Sequence, residues 1–512
     1  MEPSPLRPHV RPLEALISNQ AASRGSAPYL FGARSSRTLS FSELCDDVAQ
    51  RQSLLRQFGL NAGARIGLLL GDPLTFSTWF LAGLSAGVWV APLDPTVTQQ
   101  NLRHVDKRAK ALGLSAVLSD RSAPEPASVI WANVTNGRWI GTEEILNSVD
   151  ETDEGGVLLS SSGTTGAPKV MALPAQQLLD TATLIARHNR LAGDDRGFNP
   201  LPLWHVNAEV VGLLATLVAG ASLVLDDRFH RTGFWKIVDD FEVTWINAVP
   251  AIISRLAILQ GDESPPSRVR FVRSASAPLS PMLFDEFEAA TGIPIIQSYG
   301  MTEAASQICA NPLDGVRKSG SVGVPVGVEV RIVPLEGDAL TTGAEVGHIE
   351  IKGATVIKAY ESAAYDDRFD VEGWLRTGDL GYFDDDHYLF IVGRTDDVIN
   401  RGGEKIYPLE IENMLATVEG VAIVAVIGES HEVFGQVPVA YVQPRDAETL
   451  VSPGALVDLV QRIRVSALEA FSKAYRPAAV KVVGEFPSHA TGKIRKGSLR
   501  AGDVTVIYEE RL

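Results

Sequence analysis

Three consecutive segments near the start of the chain constrain the fold most. From Ala64 the run ARIGLLLGD is apolar and short, TFSTWFLAGLSAG follows with Gly87 near its end, and VWVAPLDP is a second short apolar run. Strand, helix and strand in this order make a right-handed crossover onto a parallel sheet. Strands of such a sheet are buried on both faces and read as unbroken apolar runs. The pattern returns at Leu213–Leu225 and at Arg270–Ile296. In the latter, Ser280 is expected to cap a helix with Pro281 in its first turn. Leu283, Phe287 and Ala290 form its expected apolar stripe, and Gly292 closes it. Val210–Leu225 reads as a buried helix running into a strand, about a turn short of the ~20 residues of a membrane span. The chain is predicted to be α/β.

After about Gly320 the texture changes to Gly, Pro and short β-like runs: VEVRIV, GHIEIKG and HYLFIVG. This predicts a small β-barrel-like subdomain. A polar stretch, Arg394-Thr395-Asp396-Asp397, then leads to Asn400-Arg401-Gly402-Gly403 and marks a domain boundary. We expect a core over residues 1–395, built from two βαβ-type parallel or mixed sheets with helices plus the β-rich subdomain. Residues 396–512, with the strand-like runs VAIVAVIG, VPVAYVQP and VKVVGEF, are enough for a small α+β domain.

Composition excludes several functions. Of 512 residues, 45% are hydrophobic and 21% charged, which excludes whole-chain disorder. Lys and Arg total 46 against 62 Asp and Glu, a formal charge of −16. So acidic a body argues against nucleic acid or an anionic membrane as partner. Two cysteines, Cys45 and Cys309, cannot build a disulfide framework or a cysteine zinc site. The N-terminal MEPSPLRPHVRP has no apolar signal core. A reducing cytoplasm is the expected location, with no stable membrane association. Oligomeric state stays open between monomer and homodimer.

Four segments carry chemistry. Ser160-Ser161-Ser162-Gly163-Thr164-Thr165-Gly166-Ala167-Pro168-Lys169 follows the strand-like GGVLL. Its hydroxyls, glycines and lysine suit a loop that wraps a polyphosphate; composition alone fits a solvated linker equally well. Gln297-Ser298-Tyr299-Gly300-Met301-Thr302-Glu303 follows the strand IPII, and strand ends are where α/β sheets hold ligands. There Thr302 can hydrogen-bond a phosphate and Glu303 can hold Mg²⁺. In Trp374-Leu375-Arg376-Thr377-Gly378-Asp379, with Gly393-Arg394 beyond it, a carboxylate after a Gly turn can take both hydroxyls of a ribose. The fourth segment is Ala490-Thr491-Gly492-Lys493.

In this order the four segments resemble the adenylate-forming superfamily of acyl-CoA synthetases, peptide-synthetase adenylation domains and luciferases. The resemblance runs from Thr38-Leu39-Ser40-Phe41 to Lys493. It is nearest medium-sized acyl-CoA synthetases of the oxalate–CoA ligase type. Pro202-Leu203-Trp204-His205-Val206, Arg273-Ser274-Ala275-Ser276-Ala277-Pro278-Leu279, Gly320-Ser321-Val322-Gly323 and Asn400-Arg401-Gly402-Gly403-Glu404-Lys405-Ile406 carry that nearness.

The resemblance implies an AMP-forming acid–CoA ligase that uses ATP, Mg²⁺ and CoA on a carboxylic acid. By the same token Lys493 is the catalytic lysine of adenylation, acting with Thr302 and Glu303. The 160–169 loop holds the β- and γ-phosphates. Ala275, Ser276, Ala277 and Tyr299, within Ser298-Tyr299-Gly300-Met301, frame the nucleotide, and Asp379 with Arg394 holds the ribose. Asp396 is the hinge of a mobile C-terminal domain, Gly402 and Gly403 line the thiol tunnel, and His205 gates it. The expected acid pocket is polar: His205, Asn207, Glu209, Val210, Trp245, Asn247, Ser274, Ser276, Met301 and Ser306. Such a lining favours a small or functionalised acid over a long alkyl chain. One departure is Tyr475-Arg476-Pro477-Ala478-Ala479, which lacks a basic pair expected near the CoA phosphates. A second reading keeps adenylation but passes the acyl group to a carrier-protein thiol or an amine, and extends to small oxyacids such as nitrite. A third is a non-catalytic nucleotide-binding protein.

Overall fold

The computed structural model describes residues 10–135, 138–140, 155–161, 169–261, 263–339, 345–487 and 493–512. The first crossover forms as expected. Strand Arg65–Leu69, helix Pro73–Ser85 and strand Trp89–Pro92 follow in order, and the strands pair in parallel. Asp72 caps the helix by accepting from Thr75 N, and Pro73 fills its first turn. This unit sits inside a seven-stranded sheet whose outer strands, Arg138–Ile140 and Lys169–Pro174, are antiparallel.

The second large sheet has nine strands. Its parallel centre runs Pro28–Gly32, Ser222–Leu225, Arg196–Asn199, Trp245–Ala248, Phe271–Ser274 and Ile295–Tyr299. Trp245 stacks on Phe271 at 5.8 Å, a cross-strand aromatic pair that adds ~1 kcal/mol beyond burial. Helix Pro281–Thr291 bridges the last two of these strands. Ser280 caps it and Gly292 ends it in the left-handed conformation, as expected. Its buried stripe is Phe284 and Phe287; Ala290 faces solvent, because the helix turns Phe284 inward instead. Val210–Leu225 is a helix entering a strand, but its first part, Ala208–Leu214, is a π-helix. Such turns insert a residue and recur at functional sites.

The β-rich segment is a four-stranded antiparallel sheet, Glu329–Ala339, Glu345–Lys352, Leu375–Phe383 and Leu389–Arg394 in sequence order, with no pairing between the outer strands among the described residues. Beyond Ile399 a separate core begins. Helices Pro408–Leu415 and Pro453–Ala470 lay Ile411, Leu415, Leu459 and Ile463 against strands Val421–His431, Gly435–Pro444 and Ala479–Val483. Tyr407 leaves this domain and packs with Val346, Leu380 and Val392 of the four-stranded sheet. Among the described residues no helix is long and apolar enough to cross a membrane.

Candidate active site

The phosphate-loop segment joins two antiparallel strands, Gly156–Ser161 and Lys169–Pro174, with Ser161 opposite Lys169. Ser160 and Ser161 end the first strand. Ser162, Gly163, Thr164, Thr165 and Gly166 lie outside the described residues. Lys169 is buried, and its Nζ lies 2.6 Å from Glu303 Oε1. The same Oε1 accepts from Tyr360 Oη at 2.9 Å, and Nζ lies 4.3 Å from the Tyr360 ring centre. Burial, then the Glu303 charge, pushes the Tyr360 hydroxyl up, so it stays a donor.

Glu303 is presented by the short helical turn Thr302–Ala304 directly after strand Ile295–Tyr299. The turn is tight: Ala305 and Ser306 have φ of 47° and 90°. Gly300 is required by close approach, since a Cβ there would lie 1.9 Å from Ser306 O. Met301 and Thr302 are half-buried beside it. Ser298 donates to Ser274 O at 3.0 Å, tying this strand to the Ser274–Ala277 segment, in which Ala275 is buried and Ser276 is exposed with φ 72°. Ala277 is half-buried there.

Asp379 is buried. It accepts from Tyr299 Oη at 2.5 Å and from Arg394 Nη1 at 2.9 Å, because strands Leu375–Phe383 and Leu389–Arg394 set Asp379 opposite Arg394. Burial raises its carboxyl above the usual range; Arg394, the Tyr299 hydrogen bond and Lys493 oppose this. Burial and the Asp379 charge push the Tyr299 hydroxyl well up. Lys493 comes from the C-terminal domain. It remains open to solvent, yet surrounding protein, and then Arg394, lower its amine below the ordinary lysine range, while Asp379 and Asp397 act the other way. Tyr299, Glu303, Asp379, Arg394 and Lys493 therefore share one electrostatic centre.

The pocket residues form a polar chain that runs from the interior out to Ser276. Asn247 Nδ2 donates to Asn199 Oδ1 at 2.9 Å and to Asn207 Oδ1 at 2.8 Å, and Asn207 Nδ2 reaches Ser276 Oγ at 3.5 Å. Val210 and Ser274 are buried, and His205 is half-buried against Trp204. Glu209 has none of its surface exposed, and among the described residues neither carboxyl oxygen has a partner; burial raises it well above the usual range.

Asp396 is exposed in the turn Thr395–Asp397, between the two domains' strands. Its neighbour Asp397 pairs with Arg500 at 2.5 Å. Gly402 and Gly403 are the two-residue turn of a hairpin in which Arg401 opposes Glu404, with φ of 60° and 98°. Both positive angles belong to a primed turn, which favours glycine at each position. Sequence reasoning missed Tyr360 as a site residue, and no local signal marks it.

A single carboxylate suits Mg²⁺, which keeps most of its water and takes one or two protein oxygens. Glu303, with its oxygen already gathering a lysine and a tyrosine, has that character.

Residues 17–361 match the AMP-binding enzyme family, and residues 410–493 match the AMP-binding enzyme C-terminal domain. Sulfoacetate–CoA ligase from Cupriavidus necator is 32% identical over 500 residues, covering 94% of this chain and 96% of that one. Oxalate–CoA ligase from Arabidopsis thaliana is 32% identical, over 89% and 91%. The o-succinylbenzoate–CoA synthetase of Bacillus subtilis has been solved with its acyl-adenylate intermediate and with ATP and magnesium ion. Both structures match with a TM-score of 0.78, at 26% and 27% identity, over 95% of this chain and 97% and 98% of theirs. The chain belongs to the AMP-binding enzyme family.

Proposed function

We propose that this chain is an AMP-forming acid–CoA ligase. A carboxylate oxygen of the acid attacks the α-phosphorus of ATP, the bond to the β-phosphate oxygen breaks, and pyrophosphate leaves. The CoA sulfur then attacks the acyl carbon of the adenylate, AMP leaves, and the thiol proton passes to solvent. The observation that carries the reading is that Lys493 interacts electrostatically with Asp379 and Arg394, which lie far back in the chain in the other domain.

In the first step anion meets anion, so fixed positive charge is the main requirement. Lys493 bridges the carboxylate and the α-phosphate. Lys169 and the 160–168 segment hold the β- and γ-phosphates, and Thr302 donates to the α-phosphate. Glu303 holds Mg²⁺, which neutralises phosphate charge when bound. Asp379 accepts from the ribose hydroxyls with Arg394 and Tyr299 fixing its orientation, and the Ser274–Ala277 segment frames the base. His205, Asn207, Asn247, Ser274 and Ser276 receive the acid. In the second step the 396–512 domain turns about Asp396, withdraws Lys493 and presents the Gly402-Gly403 turn to the thiol. Cys45 and Cys309, both free, suit a reducing cytoplasm.

The test is pyrophosphate release with Mg²⁺ across short, dicarboxylic, aromatic and fatty acids, with and without CoA. Multiple turnovers that need CoA support the ligase. Adenylate formation with no CoA-dependent turnover moves the acceptor to a carrier-protein thiol or an amine.

A further inference from the structure

Arg273 lies in the middle of the nine-stranded sheet with none of its surface exposed. Strands flank it on both sides, Asn247 and Ile296 being its register partners. Its Nη2 donates to Gln307 Oε1 at 3.1 Å, while Nε and Nη1 have no acceptor. Among the described residues no carboxylate forms an ion pair with it. His188 supplies no counter-charge. Its Nε2–H donates to the Asn311 carbonyl at 2.9 Å, and burial, with Arg273 beside it, holds the imidazole below its ordinary range.

A buried charge without a partner is costly, and proteins normally pair it or neutralise it. Burial lowers Arg273 only to about 9, so it keeps its proton at neutral pH. Among the described residues, then, nothing compensates this buried cation. Polar atoms nearby in the fold are uncommitted too: Gln307 Nε2, Ser274 Oγ and Asn247 Oδ1 are buried without partners. The position in the chain matters. Arg273 directly precedes the Ser274–Ala277 segment, and Gln307 directly follows the Thr302–Ser306 turn. Asn247, its register partner, leaves the same face of the sheet and donates to Asn207, so the cation stands beside residues assigned to the acid.

We propose that Arg273, with Gln307, receives a second anionic group, a carboxylate or sulfonate, on the acid being activated, so that the substrates are small diacids; this rests on the acid–CoA ligase reading above. Guanidinium N–H groups suit such an anion in geometry and charge. Burial biases Glu209 toward its protonated form, which weakens its repulsion of an anion there.

The experiment compares CoA-dependent AMP formation from oxalate, malonate, succinate and sulfoacetate with that from acetate, propionate and butyrate. At least one diacid should exceed the monoacid of the same length in kcat/KM by about 100-fold, the scale for removing one partner of a buried charge pair. Arg273→Met should collapse that ratio, and Arg273→Lys should keep part of it. A preference for monoacids, or a ratio that Arg273→Met leaves intact, overturns the proposal. Thermal melting of the unaltered enzyme without ATP reads the same site should Arg273→Met fail to fold. Oxalate, malonate or sulfoacetate should raise Tm where acetate and propionate do not; equal shifts overturn it. If no acid supports CoA-dependent AMP formation, the ligase reading fails, and the diacid-specific melting shift still decides the Arg273 site.

Discussion

The amine of Lys169 and the carboxylate of Glu303 are 2.6 Å apart, buried beneath Tyr360. The cation assigned to polyphosphate and the anion assigned to Mg²⁺ neutralise one another in the ligand-free chain. In the proposed reaction MgATP exchanges this pair for two others, metal on Glu303 and phosphate on Lys169. A buried pair broken from one side leaves an uncompensated charge, at a cost of about 3–5 kcal/mol. Glu303→Gln should therefore act twice. It should lower Tm in the absence of ligand, and it should weaken the Mg²⁺ dependence of pyrophosphate release while reducing its rate by about 100-fold or more. A variant with normal Mg²⁺ dependence would show that the metal is held elsewhere.

Glu209 provides a pH test. Its carboxyl is raised by burial alone, so the folded value exceeds the unfolded one. The folded state then binds more protons than the unfolded state across that interval, and stability falls as pH rises through it. Glu209→Gln removes the titration. The Tm of the Gln variant minus that of the parent should grow more positive from about pH 5 to pH 8. A difference that stays flat over that range would mean that Glu209 is paired and ionised in solution.

Much of the scaffold was legible because its signals are local. The apolar run Arg65–Leu69, the capped helix Pro73–Ser85 and the second run Trp89–Pro92 each declare themselves within a few residues. The π-helix at Ala208–Leu214 does not, because a shifted hydrogen-bond offset leaves no signature in the apolar pattern of a few residues. The Phe284 stripe was misjudged for a related reason: helix and sheet together decide which apolar face turns inward. Asp379 and Glu303 could be picked out by their turns, but not Tyr360, whose role exists only through folding. The Gly402-Gly403 pair carried a local cause of its own, a hairpin turn, beside the tunnel role the resemblance implies.

Lys493 is expected to act in adenylation alone. Lys493→Ala should reduce adenylate formation by about 100-fold or more, the scale for a group that stabilises charge only in the transition state. Thioester formation from supplied acyl-adenylate should survive. The unaltered enzyme adds a second check. Protein crowding and Arg394 hold the amine below the ordinary lysine range, and the ammonium form is the useful one. Adenylation should therefore decline with rising pH before an ordinary lysine would titrate, while the thioester step should not share that limb. Loss of both half-reactions in Lys493→Ala would remove it from this role.

Asp396 lies between two packed parts of the chain. Arg394 is locked in the sheet opposite Asp379, and Asp397 is tied to Arg500 of the C-terminal domain. Between them Asp396 is exposed in a short turn, so a change of backbone angle there costs few contacts. Hinges commonly use such positions between well-packed bodies. Proline fixes φ near −65°, so Asp396→Pro should hold one domain arrangement. In the present arrangement Lys493 and Asp379 interact electrostatically, which suits the proposed adenylation step. The variant should keep pyrophosphate release in a single turnover and lose CoA-dependent turnover by about 100-fold, the difference appearing wholly in the second half-reaction. Equal damage to both halves would put the pivot elsewhere, with Asp397 and its Arg500 partner the next pair to vary.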